Sequence, residues 1–454
     1  MRVLILFACL SAGCLASKPH PCRAPPRLTG GLSVSTQSGN LTVFGKYVYD
    51  ALGKRIRLRE FVHHNNKTFH LDVLLLYRER VLYKINYRNH TCTKKPLKAD
   101  FHPLAIPKTA SLLGQVVLGS SSGPGEGLLV NTWAGEVHTK NSSAKYISTV
   151  TEFGCIPVST LFHTKRGWWV TSFFNNVIGI RDPNQLNPPC FCKDAQLEED
   201  DGEDPETFFS LFENTEPDSE MYICFRPVAG SFRVNLGFSD MRLLVALTCL
   251  LAGCLAQRPQ PCTSPPLMTG YLTVSTQNEQ LLIYIQYLYD AVGQRIRLWE
   301  QGSYENKTFV SDNLLHYKEG VVYNIIDSNQ TCQKFPLKAQ FQPIGIPKTA
   351  SLVGQIVLGS SSGPNEGLLV NVWTGVLPEI AGSRFLSTVT EFGCIPVSTA
   401  YHTDQYGWVL MTFFNNVVGI PDPSLLNPPS FCPKAEIKPE VEPEDFLSLF
   451  LKKK

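Results

Sequence analysis

The chain has 454 residues, which is too long for one compact core and indicates two or three domains of ordinary size. Its composition is that of a globular protein, and an aromatic share of 11% favours β structure. The formal net charge is +2, and no basic run is longer than Lys452 to Lys454. The charge pattern therefore gives no indication of a nucleic-acid partner.

An internal repeat at an offset of 240 residues dominates the sequence. Residues 118–131 align with residues 358–371 and share Leu-Gly-Ser-Ser-Ser-Gly-Pro, and Tyr-Asp-Ala-x-Gly at 49–53 recurs at 289–293. The offset is 239 only around 148–160. Each copy has about 190 residues, which is too long for a solenoid repeat and indicates a tandem duplication of a whole domain.

Both copies begin with the features of a secretory signal: a charged start, an apolar run and small residues before a cleavage point. In the second copy an apolar run of roughly 15 residues is too short to span a bilayer, which needs ~20. A bacterial lipoprotein signal at Leu251-Ala-Gly-Cys254 is the third interpretation, and the first copy fits it poorly. The predicted organisation is a signal peptide at 1–16, a domain at 17–213, a non-repetitive linker at 214–240, a signal-like segment at 241–256 and a second domain at 257–454. Two mature products and one two-domain polypeptide both remain open.

Outside the two signal segments, eight cysteines recur between the copies, and only Cys190 and Cys224 lack a counterpart. The eight are Cys22, Cys92, Cys155 and Cys192 in the first copy, and Cys262, Cys332, Cys394 and Cys432 in the second. Four cysteines behind a secretory signal predict two disulfides per copy, with three possible pairings. A zinc site would require closely paired ligands, and these spacings run to tens of residues.

The sequence contains six Asn-x-Ser/Thr sequons, a short motif that often arises by chance. They occur at Asn40, Asn66, Asn89, Asn141, Asn306 and Asn329. Because Asn66 aligns with Asn306 and Asn89 with Asn329, these two pairs are the better candidates for exposed, glycosylated loops.

Strand patterns predict an all-β fold with short helices, in which nine to eleven antiparallel strands per copy form a curved sheet pair or half-open barrel. The clearest runs are 41–49, 55–59, 281–289 and 295–299, and further strands are predicted near 71–76, 81–87, 114–118, 127–133, 147–153, 168–174 and 177–180. Short helices are predicted at 206–212 and 444–450. Beside these helices lie acidic stretches at 198–204 and 436–445. The stretches are interpreted as solvated tails or, alternatively, as weak calcium sites.

One motif raises the question of catalysis. Gly119 to Gly123 and Gly359 to Gly363 satisfy Gly-x-Ser-x-Gly, which would make Ser121 and Ser361 nucleophiles of a serine hydrolase. The matching partners would be His163 and Asp182 in the first copy, and His402 and Asp422 in the second. A nucleophile elbow must run into a helix, whereas Pro124-Gly125 predicts a turn into another strand. We therefore predict a hairpin loop and a noncatalytic protein.

The order of these motifs resembles the ependymin family. The resemblance is carried by Pro-Cys at 21–22 and 261–262, Tyr-Asp-Ala-x-Gly, Glu-Phe-Gly-Cys-Ile-Pro-Val, Phe-Phe-Asn-Asn-Val-x-Gly-Ile and Asp-Pro-x-x-Leu-Asn-Pro-Pro, and it covers nearly all of both copies. It implies secreted glycoproteins that bind calcium and are associated with cell–matrix adhesion. It also implies a fold similar to bacterial lipoprotein carriers, in which two antiparallel sheets and C-terminal helices enclose an apolar pocket. Because the family tends to dimerise, the protein is expected to form a dimer or to pair its two copies within one chain.

The resemblance further implies the disulfide pairs Cys22–Cys155, Cys92–Cys192, Cys262–Cys394 and Cys332–Cys432. The resulting hypothesis is a noncatalytic extracellular protein that binds a hydrophobic, lipid-like ligand. Candidate pocket residues are Trp133, Phe153, Trp168 and Phe174, with Trp373, Phe392, Trp408 and Phe414 in the second copy. Ordinary core positions are the alternative for each of them, since large apolar side chains are mostly core. The competing function is a structural matrix protein whose partners are glycans and calcium.

Two signals predict two mature N-termini, one near Ser17 and one near Gln257. Terminal sequencing of native secreted protein checks this. A single continuous chain that retains residues 241–256 would exclude the two-product interpretation.

Overall fold

A computed structural model describes residues 18–198 and 258–437, except for 37–40, 65–66, 139–142, 165–166 and 194 in the first range and 306, 338, 377–383, 404–405 and 433–435 in the second. The strands of the first copy are β1 (Arg27–Thr36), β2 (Leu41–Asp50), β3 (Arg55–His64), β4 (Lys67–Leu76), β5 (Val81–Asn86), β6 (Thr91–Pro96), β7 (Ser111–Gly119), β8 (Gly127–His138), β9 (Ser143–Thr151), β10 (Pro157–Thr164) and β11 (Gly167–Ile178). Those of the second copy are β12 (Leu267–Thr276), β13 (Leu281–Asp290), β14 (Arg295–Tyr304), β15 (Lys307–His316), β16 (Val321–Ile326), β17 (Thr331–Pro336), β18 (Ser351–Gly359), β19 (Gly367–Val376), β20 (Arg384–Thr390), β21 (Pro396–Thr403) and β22 (Gly407–Val418). Short 3-10 helices lie at Pro183–Leu186, Cys190–Cys192, Asp327–Asn329 and Pro423–Leu426. The prediction of an all-β fold with short helices is confirmed.

Each copy forms one continuous antiparallel sheet. In the first copy the strand order is β6-β5-β4-β3-β2-β1-β11-β10-β9-β8-β7. The second copy repeats it as β17-β16-β15-β14-β13-β12-β22-β21-β20-β19-β18. Where a pair of sheets was expected, each copy thus has one sheet in which the strand pairing is continuous. Register shifts at Thr29/Gly31, Leu112/Gly114 and Pro157/Ser159 are bulges, which increase local bend and twist.

Three strands of each copy were not predicted from the sequence. In the first copy they are β1, whose alternation is interrupted by Gly30 and Gly31, the short polar edge strand β6, and β10, which begins with Pro157. The predicted runs 168–174 and 177–180 fall within or beside the single strand β11. The predicted helices at 206–212 and 444–450, both signal segments and the linker lie outside the described residues.

The main core of each copy lies on one face of its sheet, which we call the inner face. Directly paired residues share a face of an antiparallel sheet, and the register places Val34, Val43, Val62 and Thr171 side by side on β1, β2, β3 and β11. All four side chains are buried. The segment at 97–104 packs over this core, with Phe101 against the rings of Tyr49 and Tyr77.

A second, smaller core covers the opposite face of β2 to β5. There Leu186 and Cys192 pack on Leu74 and Leu76, so the segment after β11 closes this side of the sheet. Arg57, which the strand pattern places on a basic face, is only 2% exposed. Its guanidinium pairs with the Asp72 carboxylate at 2.9 Å and donates to the carbonyl of Gln185, which ties the covering segment to β3.

Four disulfides join the pairs implied by the resemblance: Cys22–Cys155, Cys92–Cys192, Cys262–Cys394 and Cys332–Cys432. They close loops with sequence separations of 100 to 133 residues. In the chain-entropy account, loops of this length correspond to about 4 to 5 kcal/mol of stabilisation each. Cys190 carries a free, exposed thiol.

Candidate functional site

The two copies contact each other along the strand edges that their own sheets leave unpaired. Strand β11 pairs with β18 at Phe174 and Leu358, and β22 pairs with β7 at Phe414 and Leu118. These two junctions link β7 to β11 and β18 to β22 into a ring of ten strands. We call this ring the joint barrel.

An apolar cluster built equally from both copies fills the joint barrel. Its buried members are Leu128, Val130 and Val158, together with the equivalent Leu368, Val370 and Val397. On β8, Leu128 and Val130 alternate with Trp133, which points to the opposite, inner face. One face of β8 therefore contributes to the apolar cluster shared by the two copies, and its other face contributes to the core of its own copy.

Reciprocal hydrogen bonds from one Asn-Asn motif close the two junctions. The Asn175 side-chain oxygen accepts from the backbone N–H of Val357 at 2.7 Å, and that of Asn415 accepts from Val117 at 2.7 Å. Both asparagines have a left-handed backbone, with φ of 52° and 51°. Asparagine tolerates this conformation better than most residues, which suits the motif to the position.

The second asparagine of the motif connects the joint barrel to the core. The Asn176 side-chain amide donates to the carbonyl of Gly359 at 2.8 Å across the junction, and its oxygen accepts from the Tyr47 hydroxyl at 2.6 Å within its own copy. Asn416 makes the equivalent bonds to Gly119 and Tyr287 at 2.9 and 2.6 Å.

The Gly-Ser-Ser-Ser-Gly segments are hairpin loops that reach across these junctions. The Ser121 backbone N–H donates to the carbonyl of Asn416 at 3.3 Å, and the Ser122 hydroxyl accepts from the N–H of Val418 at 2.8 Å. Gly119 is required because its φ is +83° and a Cβ would lie 2.2 Å from the Glu126 carbonyl oxygen. Ser361 and Ser362 repeat these contacts against Asn176 and Ile178.

The structure does not bring the candidate hydrolase residues together. His163 lies 3.6 Å from the Glu279 carboxylate of the other copy, and Asp182 caps the helix at Pro183–Leu186 by accepting from Asn184. In the second copy, His402 packs against Trp408, and Asp422 accepts from Ser424. The motif thus serves contact between the copies.

Trp133 and Trp373, two of the candidate pocket residues, are core residues of the inner face. They are 3% and 2% exposed and pack beside the bridges Cys22–Cys155 and Cys262–Cys394. Their burial and contacts therefore favour ordinary core positions over pocket positions for these two tryptophans.

The other candidate aromatic residues lie in separate places. Phe153 and Phe392 are more than half exposed in the turns that follow β9 and β20. Trp168 and Trp408 stand at the start of β11 and β22, and Phe174 and Phe414 lie at the junctions of the joint barrel. A cleft on the second copy, lined by Asp290, Arg295 and Leu426 among others, contains none of the eight residues.

Glu60, which sequence analysis missed, lies on the inner face of the first copy. The strand predicted at 55–59 ends before Glu60, but continued alternation from Ile56 and Leu58 places Glu60 on the apolar side. Its side chain is 2% exposed, and neither carboxylate oxygen has a hydrogen-bond partner among the described residues. Burial raises the pKa of Glu60 to about 8, so the carboxyl group is mostly protonated at neutral pH.

The described part of the chain includes some of the residues considered for metal binding and for glycosylation. In this part of the chain, no group of three or more His, Cys, Asp and Glu side chains is placed to hold a metal ion. The acidic stretches lie largely outside the described ranges. Asn89 and Asn329 are both exposed in equivalent positions after β5 and β16, whereas Asn40, Asn66, Asn141 and Asn306 lie outside the described residues.

Within the described ranges of the chain, no helix has the length and apolar character needed to cross a membrane.

Comparison with known proteins matches each copy separately. The Ependymin family matches residues 65–192 and 305–432. Ependymin-2 of Carassius auratus is 34% identical over 209 residues, which is 46% of this chain and 96% of the relative. Ependymin-1 of Oncorhynchus mykiss is 39% identical over 210 residues, covering 44% of this chain and 93% of the relative. The chain belongs to the ependymin family.

Each of these ependymins corresponds to about half of the chain, which agrees with two tandem copies. Among solved structures, an uncharacterized conserved protein from Thermus thermophilus aligns with 40% of this ependymin-family chain and 91% of its own. Its identity is 11% and its TM-score is 0.26, a similarity too weak to carry an argument about the fold.

Replacing Asn175 and Asn415 by glycine should weaken the pairing of the two copies of this ependymin-family protein. Glycine keeps the left-handed backbone but removes both cross-copy hydrogen bonds, at roughly 1 kcal/mol each, so the copies should associate about 30-fold more weakly. The measurement is co-elution of the copies by size exclusion after cleavage at a protease site inserted within 214–240. Asn365→Gly is the matched control, because Asn365 is exposed at positive φ and aligns with Gly125. Equal association of the double variant and the control would contradict the assigned role.

Glu60→Gln should remove part of the pH dependence of stability. With a folded-state pKa of about 8 against an ordinary value of 4.5, the native state holds a proton that the unfolded state releases. Glu60 therefore lowers the free energy of unfolding progressively as pH rises from about 4.5 to 8, and the decline stops above that. Denaturant melts between pH 5 and 8 should show a shallower decline for Glu60→Gln than for the wild type. The exposed turn residue Glu79 provides the control Glu79→Gln, and an unchanged slope for Glu60→Gln would show that Glu60 is not protonated in the native protein.

Proposed function

We propose that this ependymin-family protein is a secreted, noncatalytic carrier whose inner faces bind the apolar chain of a lipid-like ligand. The observation that carries the proposal is the composition of the inner face. A continuous apolar surface runs across β1 to β4 and β11, and it holds isolated polar groups in place of a fully apolar or fully paired core. Ligand sites of this type are mostly apolar, with a few polar groups that fix orientation.

One end of this surface supports access for a ligand. In the first copy the inner-face rings of Phe69, Phe162 and Trp169 are half-buried near the tips of their hairpins. At the other end Tyr49, Tyr77 and Phe101 pack together and close the core. A chain-shaped ligand would enter between the half-buried rings and extend towards the closed end.

Secretion is supported by the chemistry of the cysteines. Four disulfides form in the described residues, and such bridges persist in oxidising compartments. The secretory signals at 1–16 and 241–256 predict the same location. Pairing of the copies through the joint barrel belongs to the proposal, whether they remain one chain or become two.

A structural matrix glycoprotein is the second candidate function, and the exposed sequons Asn89 and Asn329 favour it. Glycans on two equivalent turns would give the paired copies a similar surface for matrix partners and cell–matrix adhesion. Calcium enters this candidate only through the family resemblance.

Titration of the secreted full chain with the fluorescent fatty acid cis-parinaric acid tests the carrier function. We expect saturable binding that unlabelled palmitic acid displaces, because the apolar chain would leave water for the inner face. Heat-denatured protein is the control for non-specific partition. Absence of saturable binding to folded protein would reject the carrier proposal and favour the matrix glycoprotein.

A further inference from the structure

Several polar side chains on the inner face of the first copy are buried without a hydrogen-bond partner among the described residues, and Glu60 and Thr171 are two of them. Glu60 is 2% exposed with both oxygens unpartnered, and the Thr171 hydroxyl is unpartnered on a residue that is fully buried. Buried polar groups are nearly always hydrogen-bonded, because a group left unpaired has lost its contact with water and gained nothing in return. Such groups on one apolar face require an explanation, above all the carboxyl group of Glu60.

The surroundings of Glu60 leave its carboxyl group without a protein partner. On the inner face it is flanked by Gly45 of β2 and Leu71 of β4, and Leu32 of β1 follows beyond Gly45. The Glu60 side chain lies across Gly45, where an added Cβ would come within 2.6 Å of the Glu60 Cγ. None of these neighbours can donate or accept through its side chain. A glycine here thus makes room for a carboxyl group that faces only apolar side chains.

The second copy has the same glutamate in a different setting. Ile285 stands at the position of Gly45, and Ser311 stands at the position of Leu71. The Ser311 hydroxyl donates to the Glu300 carboxylate at 2.7 Å. Met411 replaces Thr171, so the other unpartnered hydroxyl is absent as well. In the second copy the inner face supplies a partner for its own carboxyl group.

The inner face is also more exposed at one end in the first copy than in the second. Phe162 and Trp169 are half-buried in the first copy, whereas the equivalent Tyr401 and Val409 are 1% and 0% exposed in the second. Tyr406 is also buried in the second core. The second inner face is therefore filled by its own side chains at the end where the first is partly open.

We propose that the first copy binds a single-chain lipid with a hydroxyl or carboxyl head, that the Glu60 carboxyl group hydrogen-bonds an oxygen of this head, and that the second copy does not bind it. The inference rests on the proposed carrier function and narrows it to one site and one ligand class. A neutral carboxyl group both donates and accepts, which matches an alcohol or an acid. An ammonium head would instead require an ionised carboxylate, which burial in an apolar face disfavours.

Displacement of diphenylhexatriene from the full chain tests the site, because this fluorescent hydrocarbon has no head group and reports the apolar face alone. Dodecanol, dodecanoic acid and dodecane are the competitors. We expect about one diphenylhexatriene bound per chain. Glu60→Leu should weaken dodecanol and dodecanoic acid about tenfold and leave dodecane and diphenylhexatriene unchanged, as expected for one lost hydrogen bond.

Glu300→Leu is the matched control from the second copy and should leave all affinities unchanged. Glu60→Gln, which keeps a donor and an acceptor, should retain dodecanol binding and covers the case in which Glu60→Leu fails to fold. Unchanged dodecanol affinity in Glu60→Leu, an equal loss for dodecanol and dodecane, or an equal effect of Glu300→Leu would each overturn the inference while the carrier function stands. Absence of any saturable binding to wild-type protein would reject the carrier function itself.

Discussion

Unpaired backbone groups at the edge of a β-sheet must be paired or covered, and this constraint governs how the two copies fit together. The sheet of the first copy ends at β7 and that of the second at β18. In the described ranges, neither copy supplies a further strand of its own beyond this edge. The other copy closes that edge through β22 or β11. The strand pairing at each junction is short. The hydrogen bonds of Asn175 and Asn415 and the apolar cluster of the joint barrel therefore add to the contact between the copies.

The same strands connect this pairing to the inner face of each copy. On β11, Phe173 belongs to the inner core, the adjacent Phe174 meets the other copy, and Asn176 is bonded both to Tyr47 of the core and to Gly359 across the junction. A displacement of the other copy would thus act on Tyr47, whose buried hydroxyl has Asn176 as its acceptor. Pairing and the shape of the inner face are mechanically linked, so separation of the copies should loosen the core as well.

Sequence patterns predicted the repeat, the all-β class and the hairpin nature of the Gly-Ser-Ser-Ser-Gly segments, because these depend on local chemistry. They did not predict β1, since Gly30 and Gly31 interrupt its alternation, or the joint barrel, since pairing between copies leaves no local pattern. Trp133 was a reasonable pocket candidate because it does lie on the inner face, but its contact with the Cys22–Cys155 bridge makes it core. Glu60 could have been found by extending the alternation of Ile56 and Leu58 by one step.

The positions at which the two copies agree and differ divide by location. The asparagine and serine residues of the junction are the same in both, as for Asn175 and Asn415, and each copy accepts a hydrogen bond from the other. Inner-face positions differ, as at Gly45 against Ile285 and Thr171 against Met411. A reciprocal junction fails if either side changes alone, whereas each inner face is packed within one copy and can change by itself. The asparagine contacts between the copies are therefore symmetric, while side chains fill the inner face of the second copy and the first retains Glu60 and Thr171 without hydrogen-bond partners among the described residues.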